Sequence, residues 1–180
     1  SVSYHVASNI AKFADSRKAN VTKAIVKAGG GVESECLAGW NEETGTLRLM
    51  TYNFKNDINY SGKMNVSLRV KAPQITKDEV TVVKYVVNDD CNFFDEFLED
   101  RKTYGITDDC FNWSPDDPSV DDPTTLSDEN ARNIYFNELK PKYAECSKLI
   151  PIYTTAKVEN GVIKLDDTID GNNVIFYEIF

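Results

Sequence analysis

Residues 79–87 read Glu-Val-Thr-Val-Val-Lys-Tyr-Val-Val. Valine and threonine lose side-chain freedom in a helix but pack well on a pleated surface, so this stretch predicts a β-strand. Upstream, residues 64–70 alternate, with Met64, Val66, Leu68 and Val70 on one face. That period of two belongs to a half-buried strand. Further back, residues 33–40 and 46–54 flank the polar loop Asn41-Glu42-Glu43-Thr44-Gly45. A glycine closing such a loop supplies the positive φ that short hairpins need. In the second arm Leu47, Leu49 and Thr51 point one way, and Arg48, Met50 and Tyr52 the other. Residues 21–26 start a strand, and Gly29-Gly30-Gly31 then breaks the chain.

Downstream the pattern is interrupted. Residues 91–102, CNFFDEFLEDRK, predict a helix with Phe93, Phe94, Phe97 and Leu98 on one face. An acidic loop with three Pro-linked turns follows over residues 107–123. Ser127 is the expected N-cap of a further helix, with acids in its first turn and Ala131, Ile134, Tyr135 and Leu139 as its buried stripe. Pro141 is expected to kink or end it. Strands then return at 152–158 and 162–165 around Asn160-Gly161, and at 174–179. About eight strands without a βαβ rhythm predict a mainly β protein. The expected form is an antiparallel, jelly-roll-like β-sandwich with two or three helices, including an insertion around residues 91–147. Residues 4–14 repeat apolar side chains at helical spacing. Residues 1–19 are therefore expected as a helical appendage and residues 20–180 as the sandwich domain.

Twenty Lys and Arg stand against 29 Asp and Glu, a net charge of −9. Such a surface repels phosphate backbones and anionic lipid, which speaks against nucleic-acid and membrane roles. No apolar run approaches the ~18 residues that span a bilayer. The chain begins at Ser1 without Met and shows no leader pattern, so a signal peptide is expected to be absent or removed, or a cut chain to begin here. Cys36, Cys91, Cys110 and Cys146 include no Cys-x-x-Cys, and His5 is the one histidine, so neither a zinc site nor a His-based nucleophile is expected. The cysteines either pair as two disulfides, in one of three connectivities, or remain thiols. Gly29-Gly30-Gly31 lacks the Lys and Ser/Thr of a phosphate loop.

Four stretches, in order, resemble the C-terminal part of glycoside hydrolase family 39, the β-xylosidase and α-iduronidase family. Ser3-Tyr4-His5-Val6-Ala7 resembles the start of the last helix of that family's TIM barrel. VVKYVVNDDCNFFDEF, residues 82–97, resembles its strand, Asp and short helix. The acidic Pro-rich loop with the helix from Ser127, and the closing VIFYEIF, resemble the segments that end its chain. There are departures: Asn88-Asp89-Asp90-Cys91 replaces an Asp-x-x-His-Ser pattern, and the loop over 108–123 is longer and more acidic. The resemblance implies a secreted accessory module, with a cytoplasmic location the alternative. It implies a TIM-barrel catalytic domain elsewhere in the parent chain, whose two glutamates perform the hydrolysis, so no residue here inherits a catalytic role.

Plant cell-wall polysaccharide, xylan or glucan, is the partner such a module would take. Aromatic rings stack on the apolar faces of pyranoses while neighbouring polar groups bond the hydroxyls. Trp113 in Phe111-Asn112-Trp113-Ser114-Pro115 is the leading candidate anchor, with Asn112 beside it. Trp40 follows, with Tyr52 and Tyr60 expected near it. The plain alternative is that both tryptophans are packing residues. The acids Asp116, Asp117, Asp121 and Asp122 could hold Ca²⁺, which takes six to eight oxygen ligands, though their spacing is not that of an EF-hand. The plain alternative is a solvated acidic loop. Adjacent carboxylates of this kind do not straddle a glycosidic bond.

Overall fold

A computed structural model of the chain describes residues 1–19, 30–111 and 126–180, and the backbone of residues 21–26. The chain divides into two compact units, one of residues 2–89 and 149–180, the other of residue 1 with residues 90–148.

The first unit is the β-structure. Its strands are β1 (Arg17–Lys18), β2 (Val21–Val26), β3 (Cys36–Asn41), β4 (Thr46–Asn53), β5 (Met64–Lys71), β6 (Glu79–Val87), β7 (Ile152–Glu159), β8 (Val162–Ile169) and β9 (Asn173–Ile179). Among the described residues all pairings are antiparallel, in the order β1-β3-β4-β9-β6-β7-β8-β5-β2. The mainly β, antiparallel expectation holds. The sandwich takes a different form, because one continuous sheet curls over its own face as a half-barrel. β7 makes the curl: it pairs with β6 from Ile152 to Lys157, but with β8 only at Val158 and Glu159. The Asn160-Gly161 turn between β7 and β8 has both residues at positive φ (53° and 71°), the geometry that Asn-Gly favours.

The alternation read from the sequence points one row of each strand into a common core. Leu47 and Leu49 of β4 meet Val66, Leu68 and Val70 of β5, Val80 and Val82 of β6, and the inward rows of β8 and β9. Asn53 is fully buried at one end of this core. Its Nδ2 donates to Gly62 O (2.9 Å) and Ile169 O (3.0 Å), and its Oδ1 accepts from the Tyr60 hydroxyl (3.1 Å). One amide thereby ties the β5 entry and the β8 exit to β4.

Helix α1 (Val2–Ala11) precedes the sheet, and only Asn9 is buried along it. Its following turn lies against β3 where Gly39 leaves room: a Cβ there would stand 2.8 Å from that of Ser16. Lys12 reaches Glu178 of β9 at 3.2 Å, which fixes the helix end to the sheet's outer face.

The second unit holds α2 (Phe94–Tyr104), α3 (Glu129–Ile134) and α4 (Lys140–Cys146). Phe93 and Phe97 pack with Ile106, Leu139 and Tyr143, as their spacing predicts, but Phe94 and Leu98 are exposed and belong to the other side of α2. Asp128, not Ser127, is the N-cap: its Oδ1 accepts from Ala131 N at 2.7 Å, while the Ser127 hydroxyl turns to Cys110 O. Pro141 neither ends nor breaks the helix. The π-helical stretch Tyr135–Leu139 precedes it, and Pro141 enters the first turn of α4, where a missing N–H costs least. All four cysteines are thiols rather than disulfides.

Thr51 is fully buried on β4, and its hydroxyl has no hydrogen-bond partner among the described residues. Thr51→Val keeps the shape and removes a desolvated hydroxyl, so urea denaturation should show the chain stabilised by about 1 kcal/mol. Leu68→Ala, at the centre of the same core, should cost about 3 kcal/mol in the same experiment.

Candidate functional site

Trp40 sits near the end of β3, paired with Leu47 of β4 on one side and with Arg17 of β1 on the other. Its indole is half-buried, one part packed on the sheet core. The remainder faces a groove of about 560 Å³ at the mouth of the curled sheet. That volume lies within the ~300–1,000 Å³ typical of small-molecule sites. Arg17, Lys18, Glu42, Lys71, Gln74 and Asn160 are among the residues that line it.

Local hydrogen bonds hold this frame. Ala19 N donates to Ala38 O at 3.0 Å, which keeps β1 against β3. Ala72 N donates to Gly161 O at 3.1 Å, which ties the segment after β5 to the β7–β8 turn. Asn41, mostly buried, donates to Asp15 O and accepts from Thr44 N, fixing the hairpin loop below Trp40. Arg17 and Glu42 pair at 3.0 Å on the rim, both well exposed, so the pair positions rather than stabilises. An aromatic face among amides and charged heads can stack on a sugar ring and bond its hydroxyls.

Tyr52 and Tyr60 are not part of this groove. Tyr52 lies at the other end of β4, five residues past Leu47 or about 17 Å along the strand. Burial, with Glu35 and Glu33 nearby, pushes its hydroxyl above the usual tyrosine range. Tyr60 is a packing residue: its hydroxyl bonds Asn53, and its backbone approaches Gly171 so closely that a Cβ there would meet Tyr60 O at 2.3 Å. Asn112, Trp113, Asp116, Asp117, Asp121 and Asp122 lie outside the described residues. Among the described residues no group of three or more His, Cys, Asp or Glu side chains is placed to hold a metal ion.

A second cleft, of about 550 Å³, opens where β7 and β8 part. Three polar side chains form its floor. Lys84 of β6 donates to both Asp167 oxygens, at 2.9 and 3.2 Å, and the Tyr177 hydroxyl of β9 donates to Asp167 Oδ2 at 3.0 Å. Asp167 Oδ1 also accepts the Thr168 backbone N–H at 3.0 Å. Its four acceptor positions are therefore filled, which makes the cluster a polar closure of the core rather than a base awaiting a substrate. Burial first, then the Asp167 charge, pushes the Tyr177 hydroxyl far above the usual tyrosine range.

The sequence held a signal for this cluster. Lys84 interrupts the inward row Val80, Val82, Val86, and Asp167 interrupts Ile163, Leu165, Ile169. No protein-family model matches the chain, and no curated protein matches it.

Tyr177 is neutral in the fold and titrates near pH 10 when unfolded. Its contribution to stability is complete below pH ~10 and is lost as pH rises toward the higher folded value. Urea midpoints between pH 8 and 11.5 should fall with a steeper slope in the wild type than in Tyr177→Phe. Equal slopes would mean that Tyr177 ionises freely in the fold. Asp167→Ala, which strands Lys84 and Tyr177, should cost about 3 kcal/mol at neutral pH in the same assay.

Proposed function

We propose that the chain is a non-catalytic accessory module of a polysaccharide-degrading glycoside hydrolase, and that it binds plant cell-wall glycan, xylan or glucan, in the Trp40 groove. One observation carries the reading: a partly buried indole lines a groove whose walls also carry amide and charged side chains. The ordered resemblance to family 39 supports the choice of parent enzyme, with hydrolysis assigned to a TIM barrel outside this chain. The filled acceptor positions of Asp167 fit a module without chemistry of its own.

A second reading is that the module only stabilises the catalytic barrel. Helix α1 favours it. Tyr4 and Ile10 are 68% and 44% exposed on it, apolar surface that a further domain could cover.

Affinity electrophoresis through gels containing xylan, xyloglucan or β-glucan separates the two. The binding reading expects retardation on at least one polysaccharide. Trp40→Ala should weaken it at least about tenfold, or ~1.4 kcal/mol, whereas Trp40→Phe, which keeps a ring, should retain most of it. Melting curves of each variant guard against loss of fold. Retardation that survives Trp40→Ala but not Trp113→Ala would move the site to the 112–113 segment. No retardation on any polysaccharide would leave the docking role.

A further inference from the structure

β7 leaves one edge without a partner. Val158 N donates to Asp78 O at 2.8 Å, so the even-numbered residues of β7 turn their backbone groups to β6. Tyr153, Thr155 and Lys157 turn theirs to the opposite edge, the side on which Glu159 pairs with Val162. Before Val158 that edge is bare: among the described residues no strand pairs with it from Ile152 to Lys157. Those residues extend about 20 Å, the length of an ordinary strand. The cleft of about 550 Å³ between β7 and β8 lies along this edge, with Ile152, Tyr153, Thr154, Thr155 and Ala156 in its lining.

Unpaired edges invite another strand, and proteins blunt them with charge, proline or shortness. Two other edges of this sheet are blunted. β1 is two residues long and both are basic. β8 presents the backbone of Lys164, Asp166 and Thr168 to the cleft, because the bond from Ala72 N to Gly161 O assigns its odd-numbered residues to β5. Lys164 and Asp166 are charged and pair at 3.1 Å, and the Thr168 N–H is already taken by Asp167 Oδ1. β7 has no such device. From Ile150 to Ala156 the chain carries no charge, and its one proline, Pro151, lies outside the strand. Ile152, Tyr153, Thr154 and Thr155 are all exposed, and all are strong strand formers.

We propose that β7 is a docking edge, which takes an extended peptide of a partner protein as an added strand. The backbone N–H and C=O groups of Tyr153 and Thr155 supply the hydrogen bonds. The lining sets the chemistry of the peptide. Lys84 pairs with Asp167 and Lys164 with Asp166, so these charges are satisfied within the cleft. Val82, Thr154, Ala156 and Leu165 offer small and apolar neighbours, which suit an uncharged stretch of valine and threonine. A single strand fits better than a second copy of this chain, because a second β7 would bring its own β8 arm into the same cleft. The docking edge shares no lining residue with the Trp40 groove and does not depend on the glycan-binding reading.

Amide hydrogen exchange, read residue by residue on the intact chain by NMR, tests the proposal. The probe is the synthetic peptide acetyl-Lys-Thr-Val-Thr-Val-Thr-Val-Lys-amide. In the free chain the amides of Tyr153 and Thr155 should exchange fast, and those of Thr154 and Ala156 slowly. Peptide at about ten times its Kd should slow Tyr153 and Thr155 about tenfold and leave the amides of β4 unchanged. The same peptide N-methylated at every valine and threonine should have no effect. Thr155→Pro removes an edge N–H without touching the β6 ladder, and should abolish the protection. Tyr153→Lys keeps every backbone group of the strand and places a charge on the edge, so it should weaken peptide binding at least about threefold.

Slow exchange at Tyr153 and Thr155 in the free monomer would mean that the chain itself covers the edge, and would overturn the proposal. So would a lack of protection at about 1 mM peptide, or equal protection by the N-methylated peptide. A dimer in sedimentation equilibrium that Thr155→Pro dissociates would overturn the choice of a peptide in favour of a second copy.

Discussion

β7 is hydrogen-bonded to both halves of the sheet, and the bonding is unequal: six positions with β6, two with β8. That inequality makes the sheet curl. Had β7 and β8 stayed paired along their length, the inward rows of β8 and β5 could not turn to face those of β6, β9 and β4. Instead the two arms part after the Asn160-Gly161 turn, and the apolar rows meet as one core. Removing apolar surface from water drives the closure, at about 25 cal/mol per Å² buried. The splay has a cost, because it opens the core where β7 leaves β8. Lys84, Asp167 and Tyr177 close that opening with a saturated hydrogen-bond cluster, so that polar contacts seal what apolar packing cannot reach.

The same curl creates the groove. At the hairpin end, the segment after β5 is drawn to the β7–β8 turn through Ala72 and Gly161, while β1 and β3 carry Arg17 and Trp40 on the other side. The groove is thus a consequence of how the sheet bends. Its residues come from four parts of the chain that no short motif joins: 17–19, 40–47, 71–74 and 160–162.

That dispersion explains what could be read from sequence. The strands were legible because alternation is local: Met64, Val66, Leu68 and Val70 announce their shared face, and all four are buried. The hairpins at Gly45 and Asn160-Gly161 were legible because positive φ has few tolerant residues. Helix details were less so. Ser127 and Asp128 are both good caps, and only the path of the chain through Cys110 decides between them. Phe94 and Leu98 looked apolar enough to be inside, but α2 buries the face of Phe93 and Phe97. Of the groove, Trp40 was legible as an aromatic beside polar residues. Tyr52 and Tyr60 were drawn to it by closeness in sequence, whereas the length of β4 sets Tyr52 at the far end. The curl itself had no local signature, since strand pairing across long separations is not written in any window of residues.

Whether the Trp40 groove receives a glycan decides the function of the module. A ¹H–¹⁵N correlation titration of the labelled chain with xylo- and gluco-oligosaccharides answers this residue by residue. Saturable shifts should concentrate on the Trp40 indole N–H and on the amides of Arg17, Lys18, Lys71, Gln74 and Asn160, while the amides around Tyr52 and Tyr60 stay still. A spectrum unchanged at millimolar ligand, or shifts confined to another face of the sheet, would contradict it.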